Sequence, residues 1–518
     1  MFIYLVILFI SALWIIIKRH YSQWQRLGLV CDEPVIPFGS MKPVFRKEKG
    51  MGFVITDIYE RFHEKAVGIY LAFKPAILIR DAELARQMLT KDFNSFHDRG
   101  IYVDEKRDPL SANLFSLKGQ SWRTMRAKLS PSFSSGKLKA MFGTVDEVAD
   151  KLIDHMMQQV KDDHIHKLDI KEMTTNYAID IVASVIFGLD VDSFSNPNNE
   201  FRMISDSLFK KTNAHLWHRI RNIMNFMCPP IAKFMSYFGT LDPITASLKD
   251  IVQRTIEFRE KNGFIRKDLL QLFLQLRNTG KINDDTDTSE DIWRVESVAE
   301  NLKFMSIDVI AANLLLFYVA GSETTSSNIA YTLYELAMHP DILEKAQNDV
   351  LECLKKHDLK PGGHLTYDAV QDMKYLDLCV METSRKYPGI PTWNRECTQD
   401  YPIDDINFTI KKGTAIIIPI MGFGRDPKYF PQPMEYRPQR FAEEKSENNM
   451  VAFMPFGDGP RFCIAQRMGT LNVKVALAKI LSNFNIEILP RKEVEFKFHS
   501  TPVLFPKEDL LITFIKRN

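Results

Sequence analysis

The stretch that decides the fold is Phe456-Gly457-Asp458-Gly459-Pro460-Arg461-Phe462-Cys463, near the carboxyl end of a 518-residue chain. A single cysteine closes a glycine-rich loop, and residues 464–481 beyond it are predicted to form a helix. Unpaired backbone N–H groups and the helix dipole favour a thiolate at such a position. Glycines let the backbone approach a large flat group without Cβ clashes. The loop therefore predicts a ligand site built on Cys463, with a structural cysteine in a turn as the alternative.

The composition indicates a globular protein with a large core, since 45% of the residues are hydrophobic and 25% are charged. The formal net charge of +2 argues against bulk electrostatic binding of nucleic acid. The six cysteines are scattered, without a CxxC pair, which is typical of a reducing compartment. Because Cys463 has no cysteine near it in sequence, its loop suits a single axial bond to a haem iron better than a disulfide or a zinc site.

The first 17 residues are apolar or small and just long enough to cross a membrane. No basic residue precedes them and no small-x-small cleavage site follows, which favours an anchor over the alternative of a cleaved signal peptide. Lys18, Arg19 and His20 then keep the rest of the chain cytosolic by the positive-inside tendency. Residues 1–20 are predicted to be a single transmembrane helix, and residues 21–40 a proline-containing linker.

The rest of the chain, residues 41–518, is predicted to be one catalytic domain that is mainly α-helical with small β-sheets. Residues 67–71 and 76–79 are β-rich runs separated by a short turn, and Asp81 is placed to cap the following helix. A second group of short strands is predicted around residues 415–419. The longest helical pattern covers residues 306–339, where Pro340 ends it and opens the next helix.

That long helix contains Ala320-Gly321-Ser322-Glu323-Thr324-Thr325. Glycine and hydroxyl residues in mid-helix weaken the backbone ladder, because serine and threonine can bond the carbonyls of the preceding turn. Such a point can open locally and admit a ligand. A helix bent by a chance sequence is the alternative.

Taken together, the motifs and their order resemble the cytochrome P450 family, the haem-thiolate monooxygenases. The order is Trp122-x-x-x-Arg126, the Ala-Gly-x-Glu-Thr segment, Glu382-x-x-Arg385, Pro438-Gln439-Arg440-Phe441 and the cysteine loop. The chain resembles most the microsomal members, in the insect detoxification and the vertebrate drug- and steroid-oxidising branches. It departs from the family pattern at Ala465, where glycine is usual, at Ser384, where an aliphatic residue is usual, and at Gly389, where a second proline is frequent.

The resemblance implies a haem b whose iron is ligated by Cys463. It assigns proton delivery to Glu323 and Thr324, and a buried structural cluster to Glu382, Arg385 and Arg440. The implied haem contacts are Arg99, Trp122, Arg126, Arg395, Phe456, Arg461 and Cys463. The candidate substrate contacts, which could equally be core residues, are Phe115, Leu316, Phe317, Ala320, Ile390 and Pro391. An apolar segment around the Pro229-Pro230 pair, residues 226–235, either dips into the membrane or packs between helices.

The implied activity is insertion of one oxygen atom from O2 into an apolar small molecule, either a xenobiotic or a steroid-like or fatty endogenous compound. Electrons would come from NADPH through NADPH–cytochrome P450 reductase, with cytochrome b5 as a further candidate partner, because the chain has no dinucleotide fingerprint of its own. Lys137, Lys139 and Arg467 are candidates for the docking face. The expected location is the endoplasmic reticulum membrane. Two alternatives remain: a haem-thiolate enzyme that rearranges peroxides without external electrons, and a non-catalytic haem or lipid binder.

Overall fold

In its described residues the computed structural model is mainly helical with small sheets, as the sequence predicts, and the sheets there number three. It describes residues 1–160, 166–210, 224–225, 228–238, 243–283, 293–295, 305–443, 447–488, 497–499 and 503–517. The helices are α1 Phe2–Tyr21, α2 Gln23–Arg26, α3 Lys42–Phe45, α4 Met51–Arg61, α5 Ala82–Leu89, α6 Gly119–Leu129, α7 Ser135–Gln159, α8 Ile170–Ile181, α9 Glu200–Ser205, α10 Pro229–Met235, α11 Pro243–Asn262, α12 Leu269–Thr279, α13 Ile307–Met338, α14 Pro340–Lys356, α15 Tyr367–Asp372, α16 Lys374–Lys386, α17 Ile420–Gly424, α18 Arg440–Glu443, α19 Glu447–Ala452 and α20 Gln466–Asn483.

The strands are β1 Ala66–Leu71, β2 Lys74–Ile79, β3 His166–Asp169, β4 Trp393–Glu396, β5 Tyr401–Ile403, β6 Phe408–Ile410, β7 Ala415–Ile418, β8 Phe484–Glu487 and β9 Leu511–Lys516. The largest sheet has the order β1-β2-β7-β4 and packs on a second hydrophobic cluster, separate from the helical core. Its first hairpin is the one predicted, with Val67 opposite Leu78. Asp81 caps α5 by accepting a hydrogen bond from the N–H of Leu84 at 2.8 Å.

Helix α13 runs through the helical core and ends where the sequence predicts. Ser306 caps its first turn by accepting a hydrogen bond from the N–H of Val309, and Pro340 opens α14 directly after the C-cap residue His339. The helix is long and apolar enough to span a membrane, but half of it is buried inside the protein. It therefore serves as a core helix, against which α8, α11, α16 and α20 pack.

Helix α1 differs from α13 in that its apolar side chains are almost all exposed. A helix of this length whose apolar window is not buried against the protein is suited to lipid, so α1 is the candidate single membrane anchor. At its end, the hydroxyl of Tyr21 donates to the carbonyl of Pro37 at 2.7 Å. The indole N–H of Trp24 donates to the carbonyl of Ile69 in β1. These bonds attach the segment after the anchor to the edge of the large sheet.

Candidate functional site

The glycine-rich loop is held in a tight fold by its own backbone. The N–H of Cys463 donates to the carbonyl of Phe456 at 2.9 Å, and Gly457 and Gly459 have left-handed φ values of +79° and +67°. A β-carbon at position 459 would lie 1.8 Å from the carbonyl oxygen of Leu89, so no other residue fits there. Helix α20 begins at Gln466, two residues later than the sequence predicts. Cys463 thus lies three residues before the helix rather than directly before it.

The charge state of the Cys463 thiol is set by opposing effects. Burial raises its pKa, whereas the backbone N–H of Ala465 and the guanidinium groups of Arg126 and Arg99 lower it. Among the described cysteines, Cys353, Cys379 and Cys397 are buried, while Cys463 keeps part of its surface accessible. A metal ion bonded to this sulfur would remove the thiol proton outright.

Three arginines that the sequence predicts to contact the cofactor lie near this thiol. Arg99 is close enough to lower its pKa, and Arg395 and Arg461 lie close enough to Arg99 to lower that group's pKa in turn. Arg99, Arg395 and Arg461 are all buried, and among the described residues the Nε atom of each lacks a hydrogen-bond partner. Burial lowers the pKa of Arg395 to about 10. Burial and the neighbouring Arg395 lower the pKa of Arg461 to about 9. Burial and the like charges of Arg395 and Arg461 lower the pKa of Arg99 as well. Buried like charges with unused N–H donors require anionic partners.

Aromatic rings and carbonyls fix the orientation of these guanidinium groups. Arg99 lies over the ring of Phe115 at 4.0 Å, and Arg461 lies over the ring of Trp122 at 4.2 Å. An Nη atom of Arg461 also donates to the carbonyl of Leu117 at 2.6 Å. Arg126 is less buried and donates to the carbonyl of Phe462, next to Cys463. A flat group that carries two carboxylates and binds a thiolate matches this donor set, and haem with its two propionates is such a group.

Glu382, Arg385 and Arg440 form a buried cluster that spans about 60 residues of sequence. Arg385 pairs with both carboxylate oxygens of Glu382 at 2.8 Å, and the Nε atom of Arg440 lies 3.0 Å from one of them. The N–H of Arg437 donates to the same oxygen at 2.9 Å. Arg440 in turn donates to the carbonyl of Pro431. The cluster therefore fastens α16 to the segment 431–440 that precedes the cysteine loop.

One face of α13 carries three partly accessible residues in a row. Leu316, Ala320 and Thr324, spaced by four residues, keep part of their surface accessible, and we call them the α13 stripe. The hydroxyl of Thr324 donates to the carbonyl of Ala320 at 2.6 Å, and the α-helix is continuous through this point. Phe317 lies on a different face, buried between Phe133 and Phe273. Its contacts are those of a core side chain, not of a pocket wall.

The remaining candidate substrate contacts also divide into partly accessible residues and buried packing residues. Phe115 is half-buried under Arg99, and Ile390 is half-buried in the segment after α16. Pro391 is buried against α4, where a β-carbon on Gly52 would lie 2.4 Å from its ring. Pro391 is therefore a packing residue between α4 and the segment after α16.

Comparison with known proteins agrees with this geometry. A family profile described as Cytochrome P450 matches residues 32–514 of the chain. The chain belongs to the cytochrome P450 family. It is 62% identical over 519 residues to cytochrome P450 6d3 of Musca domestica, covering 100% of this chain and 99% of that protein. It is 54% identical over 515 residues to a probable cytochrome P450 6d2 of Drosophila melanogaster, covering 99% of both.

A more distant relative is cytochrome P450 6k1 of Blattella germanica, which is 34% identical over 513 residues, covering 98% of this chain and 95% of that protein. The resemblance to the insect branch is thereby confirmed. Membership in the family implies haem with cysteine thiolate ligation and general monooxygenase activity.

Lys171 on α8 lies beside Glu323, although no sequence motif of this P450 points to it. Its Nζ atom lies 2.7 Å from a carboxylate oxygen of Glu323 and 2.6 Å from the hydroxyl of Ser326, and both ions are almost fully buried. The hydroxyl of Ser327 donates to the same oxygen of Glu323. Glu323 thus faces α8, while the neighbouring Thr324 belongs to the α13 stripe. A lysine 152 residues away in sequence carries no local signal for this pairing.

The structure also corrects one of the three candidate docking cations of this P450, Lys137. Lys137 is 2% exposed, with its ammonium 4.9 Å from the ring of Trp293, and so cannot offer a charge to a partner. Lys139 is exposed and paired with Asp368 at 2.9 Å. Arg467 is exposed and donates to the hydroxyl of Ser135. Of the proposed cations, only Lys139 and Arg467 lie on the surface.

Proposed function

We propose that this P450 inserts one oxygen atom from O2 into an apolar small molecule, with electrons from NADPH delivered by NADPH–cytochrome P450 reductase. The observation that carries the proposal is the set of buried arginines with unused N–H donors beside Cys463. We assign Cys463 as the iron ligand. The proposed haem contacts are Arg99, Trp122, Arg126, Arg395, Phe456 and Arg461. Haem, when bound, supplies the activation of dioxygen and the oxygen transfer.

The chain itself holds this group and controls protons beside it. Glu382, Arg385 and Arg440 keep the segment before the cysteine loop in place, which supports the position of Cys463. Thr324 offers a hydroxyl on the α13 stripe, where it donates to the carbonyl of Ala320 one turn earlier. We assign proton delivery to Thr324 with Glu323 behind it. The carboxylate of Glu323 is held at Lys171 and Ser327, so it acts from the buried side of the helix.

The substrate is proposed to be apolar because the accessible side chains beside Thr324 are apolar. Leu316 and Ala320 on the α13 stripe, Phe115 and Ile390 are the side chains that we assign to the pocket. Phe317 and Pro391 are left out, since both are packed in the core. Xenobiotics and steroid-like or fatty endogenous compounds both fit this description.

We infer that the protein is anchored in the endoplasmic reticulum membrane by residues 1–20, with residues 21–40 as linker and residues 41–518 as the catalytic domain in the cytosol. Lys18, Arg19 and His20 at the end of α1 support this orientation. Helix α10 exposes Ile231 and Phe234, 41% and 62% accessible, and these side chains are suited to a second contact with lipid. Phe226 and Met227 of that apolar segment lie outside the described residues.

Electrons are proposed to enter on the side of the protein where the cysteine loop reaches the surface. Phe462, directly before Cys463, is 44% exposed, and the guanidinium of Arg126 lies 4.7 Å from its ring. A reductase surface that is acidic around an apolar centre would complement this pair. Cytochrome b5 is proposed as a further partner for the same face.

The test is the carbon monoxide difference spectrum of the reduced full-length protein, followed by NADPH consumption with reductase and a panel of apolar compounds. We expect a strongly red-shifted haem band and product formation that requires reductase. Cys463→Ser should lose the red-shifted band. A band in the ordinary haem position for the unaltered chain would reject thiolate ligation. Turnover of peroxides without reductase would favour a rearranging enzyme, and no turnover with an intact band would favour a binder.

A further inference from the structure

The structure brings two of the family departures in the segment 384–389 against one face of α13. A β-carbon built on Gly389 would lie 3.2 Å from both Cβ and Cγ2 of Thr324. One turn along α13, the amide Nδ2 of Asn328 donates to the hydroxyl oxygen of Ser384 at 2.8 Å. The Ser384 hydroxyl donates its own proton to the carbonyl of Val380, so its oxygen can accept the hydrogen bond from Asn328. Glycine and serine at these positions therefore both contact the helix that carries Thr324.

The contact at Gly389 is steric, and its φ lies outside the left-handed region, so alanine there would meet no backbone strain. A distance of 3.2 Å is shorter than an ordinary van der Waals contact between carbons, which is about 3.5–4.0 Å. An alanine side chain there would therefore displace Thr324 on the side of its methyl group. Since the hydroxyl of Thr324 donates to the carbonyl of Ala320, the displacement would also affect the α13 stripe.

The hydrogen bond between Asn328 and Ser384 sets the distance between α13 and α16 next to the contact of Gly389 with Thr324. It is followed one turn later by a second bond, from the hydroxyl of Thr332 to that of Thr383 at 2.9 Å. Both bonds are between α13 and α16, and hydrogen bonds buried between helices hold them at a defined register. Thr324, Asn328 and Thr332 are spaced by four residues, so all three lie on the α13 side that faces α16 and the segment after it.

We propose that Gly389 is a positioning residue for Thr324. Because it lacks a side chain, the segment after α16 can pack directly against the threonine. The Asn328–Ser384 hydrogen bond sets the distance between that segment and α13. The inference rests on the proposed role of Thr324 in proton delivery and deepens it. Its consequence is control of coupling, meaning the fraction of NADPH electrons that reach the substrate rather than leave as hydrogen peroxide. Reduction of O2 by two electrons and two protons gives hydrogen peroxide, whereas monooxygenation uses the same electrons and protons to give oxidised substrate and water.

The experiment compares Gly389→Ala with the unaltered full-length protein, in the presence of reductase, NADPH and an apolar compound that is turned over. We expect the ratio of hydrogen peroxide to product to rise about fivefold, the change that roughly 1 kcal/mol of overpacking produces. The affinity of the ferric protein for imidazole, a probe that needs no turnover, should change by a similar factor. Gly143→Ala is the matched control, since a β-carbon there meets nothing within 4 Å.

A double-mutant cycle separates this proposal from a general loss of packing. Thr324→Ser removes the Cγ2 methyl but keeps the hydroxyl, so Gly389→Ala should disturb imidazole binding and the thermal unfolding midpoint less in the serine background. Ser384→Ala, which removes the acceptor for Asn328, provides a milder second variant and should raise the peroxide fraction in the same direction.

Equal effects of Gly389→Ala in both backgrounds, or values that match those of Gly143→Ala, would overturn the proposal. A missing thiolate-type spectrum in the unaltered protein would instead reject the proposed function. The unfolding midpoints of the four proteins of the cycle would still decide whether Gly389 and Thr324 are in energetic contact.

Discussion

The ammonium of Lys171 on α8 lies 2.7 Å from the carboxylate of Glu323 on α13, with side-chain exposures of only 7% and 2%. Helices α8 and α13 make the most extensive helix–helix contact of the described fold, and this ion pair lies within it. Two charges removed from water in this way depend on each other, because either one alone is left buried and unpaired. The acid assigned to proton delivery is thus also part of the core.

For this pair we expect Lys171→Met to lower the free energy of unfolding by about 3–5 kcal/mol, the range for breaking one side of a buried ion pair. Chemical denaturation measures the change. The control is Lys139→Met, which breaks an exposed pair with Asp368 and should cost less than about 1 kcal/mol. Adding Glu323→Gln to Lys171→Met should recover part of the loss. Similar costs for the two lysine variants would contradict the buried pairing.

The cluster around Glu382 gives a prediction about haem retention. Glu382→Gln would leave Arg385 and Arg440 without their anion, so the segment before the cysteine loop should loosen. We expect most of the purified variant to lack haem, as measured by the ratio of haem to protein absorbance. Glu344→Gln, an exposed change on α14, should leave that ratio unaltered. A normal haem content in Glu382→Gln would mean that the cluster does not support the loop.

The buried arginines give opposite expectations for the haem-bound and haem-free protein. Arg395→Met removes one charged donor, so haem should bind about 10- to 100-fold more weakly, corresponding to the ~1.5–3 kcal/mol of a hydrogen bond to a charged group. The rate of haem transfer to an acceptor apoprotein reports this. In the haem-free protein the same change should raise the unfolding midpoint, because it removes a buried charge whose Nε atom has no hydrogen-bond partner among the described residues. The exposed variant Arg254→Met should alter neither quantity.

Neighbouring residues on α13 should respond differently to substitution. Phe317→Ala should destabilise the fold by about 3–5 kcal/mol, since the ring fills the core between Phe133 and Phe273. Leu316→Phe, on the accessible stripe, should leave the unfolding midpoint nearly unchanged and shift the preference among apolar substrates toward smaller ones. Thermal unfolding and a competition assay with two substrates of different size measure the two effects. If Phe317→Leu changed the substrate preference and Leu316→Phe did not, the assignment of Leu316 to the pocket and of Phe317 to the core would be wrong.

A pH effect on stability is expected from Asp180, a buried carboxyl on α8. Burial raises its pKa to about 6, although the N–H and hydroxyl of Ser193 donate to it and oppose the shift. The folded protein then binds more protons than the unfolded chain between the ordinary pKa of 3.8 and 6. Its contribution to stability is therefore complete below pH 3.8 and is lost as the pH rises through 6. Asp180→Asn should make the urea unfolding midpoint less dependent on pH over this range. An unchanged pH dependence would show that Asp180 is not the group responsible.

The sequence predicted the parts of the site whose chemistry is local. The single cysteine after a glycine-rich loop, the cap at Asp81 and the ends of α13 all depend on a few adjacent residues, and the structure has them where the patterns place them. Helix α20 begins two residues later than predicted, because Ile464 and Ala465 complete the loop before the helix begins. Helix ends are set by capping and by the neighbouring loop, which periodicity does not describe.

By itself, the sequence determined the family resemblance, the apolar N-terminal helix and the identities of the chemical groups, since composition, period and motif spacing are written in adjacent residues. Only the tertiary structure decided that Phe317 and Pro391 are core residues, that Lys137 is buried, and that Glu323 is paired with Lys171. It also decided that Gly389 lies against Thr324. Contacts between residues distant in sequence depend on how whole helices pack, and side-chain volume and burial become defined only when the helices meet.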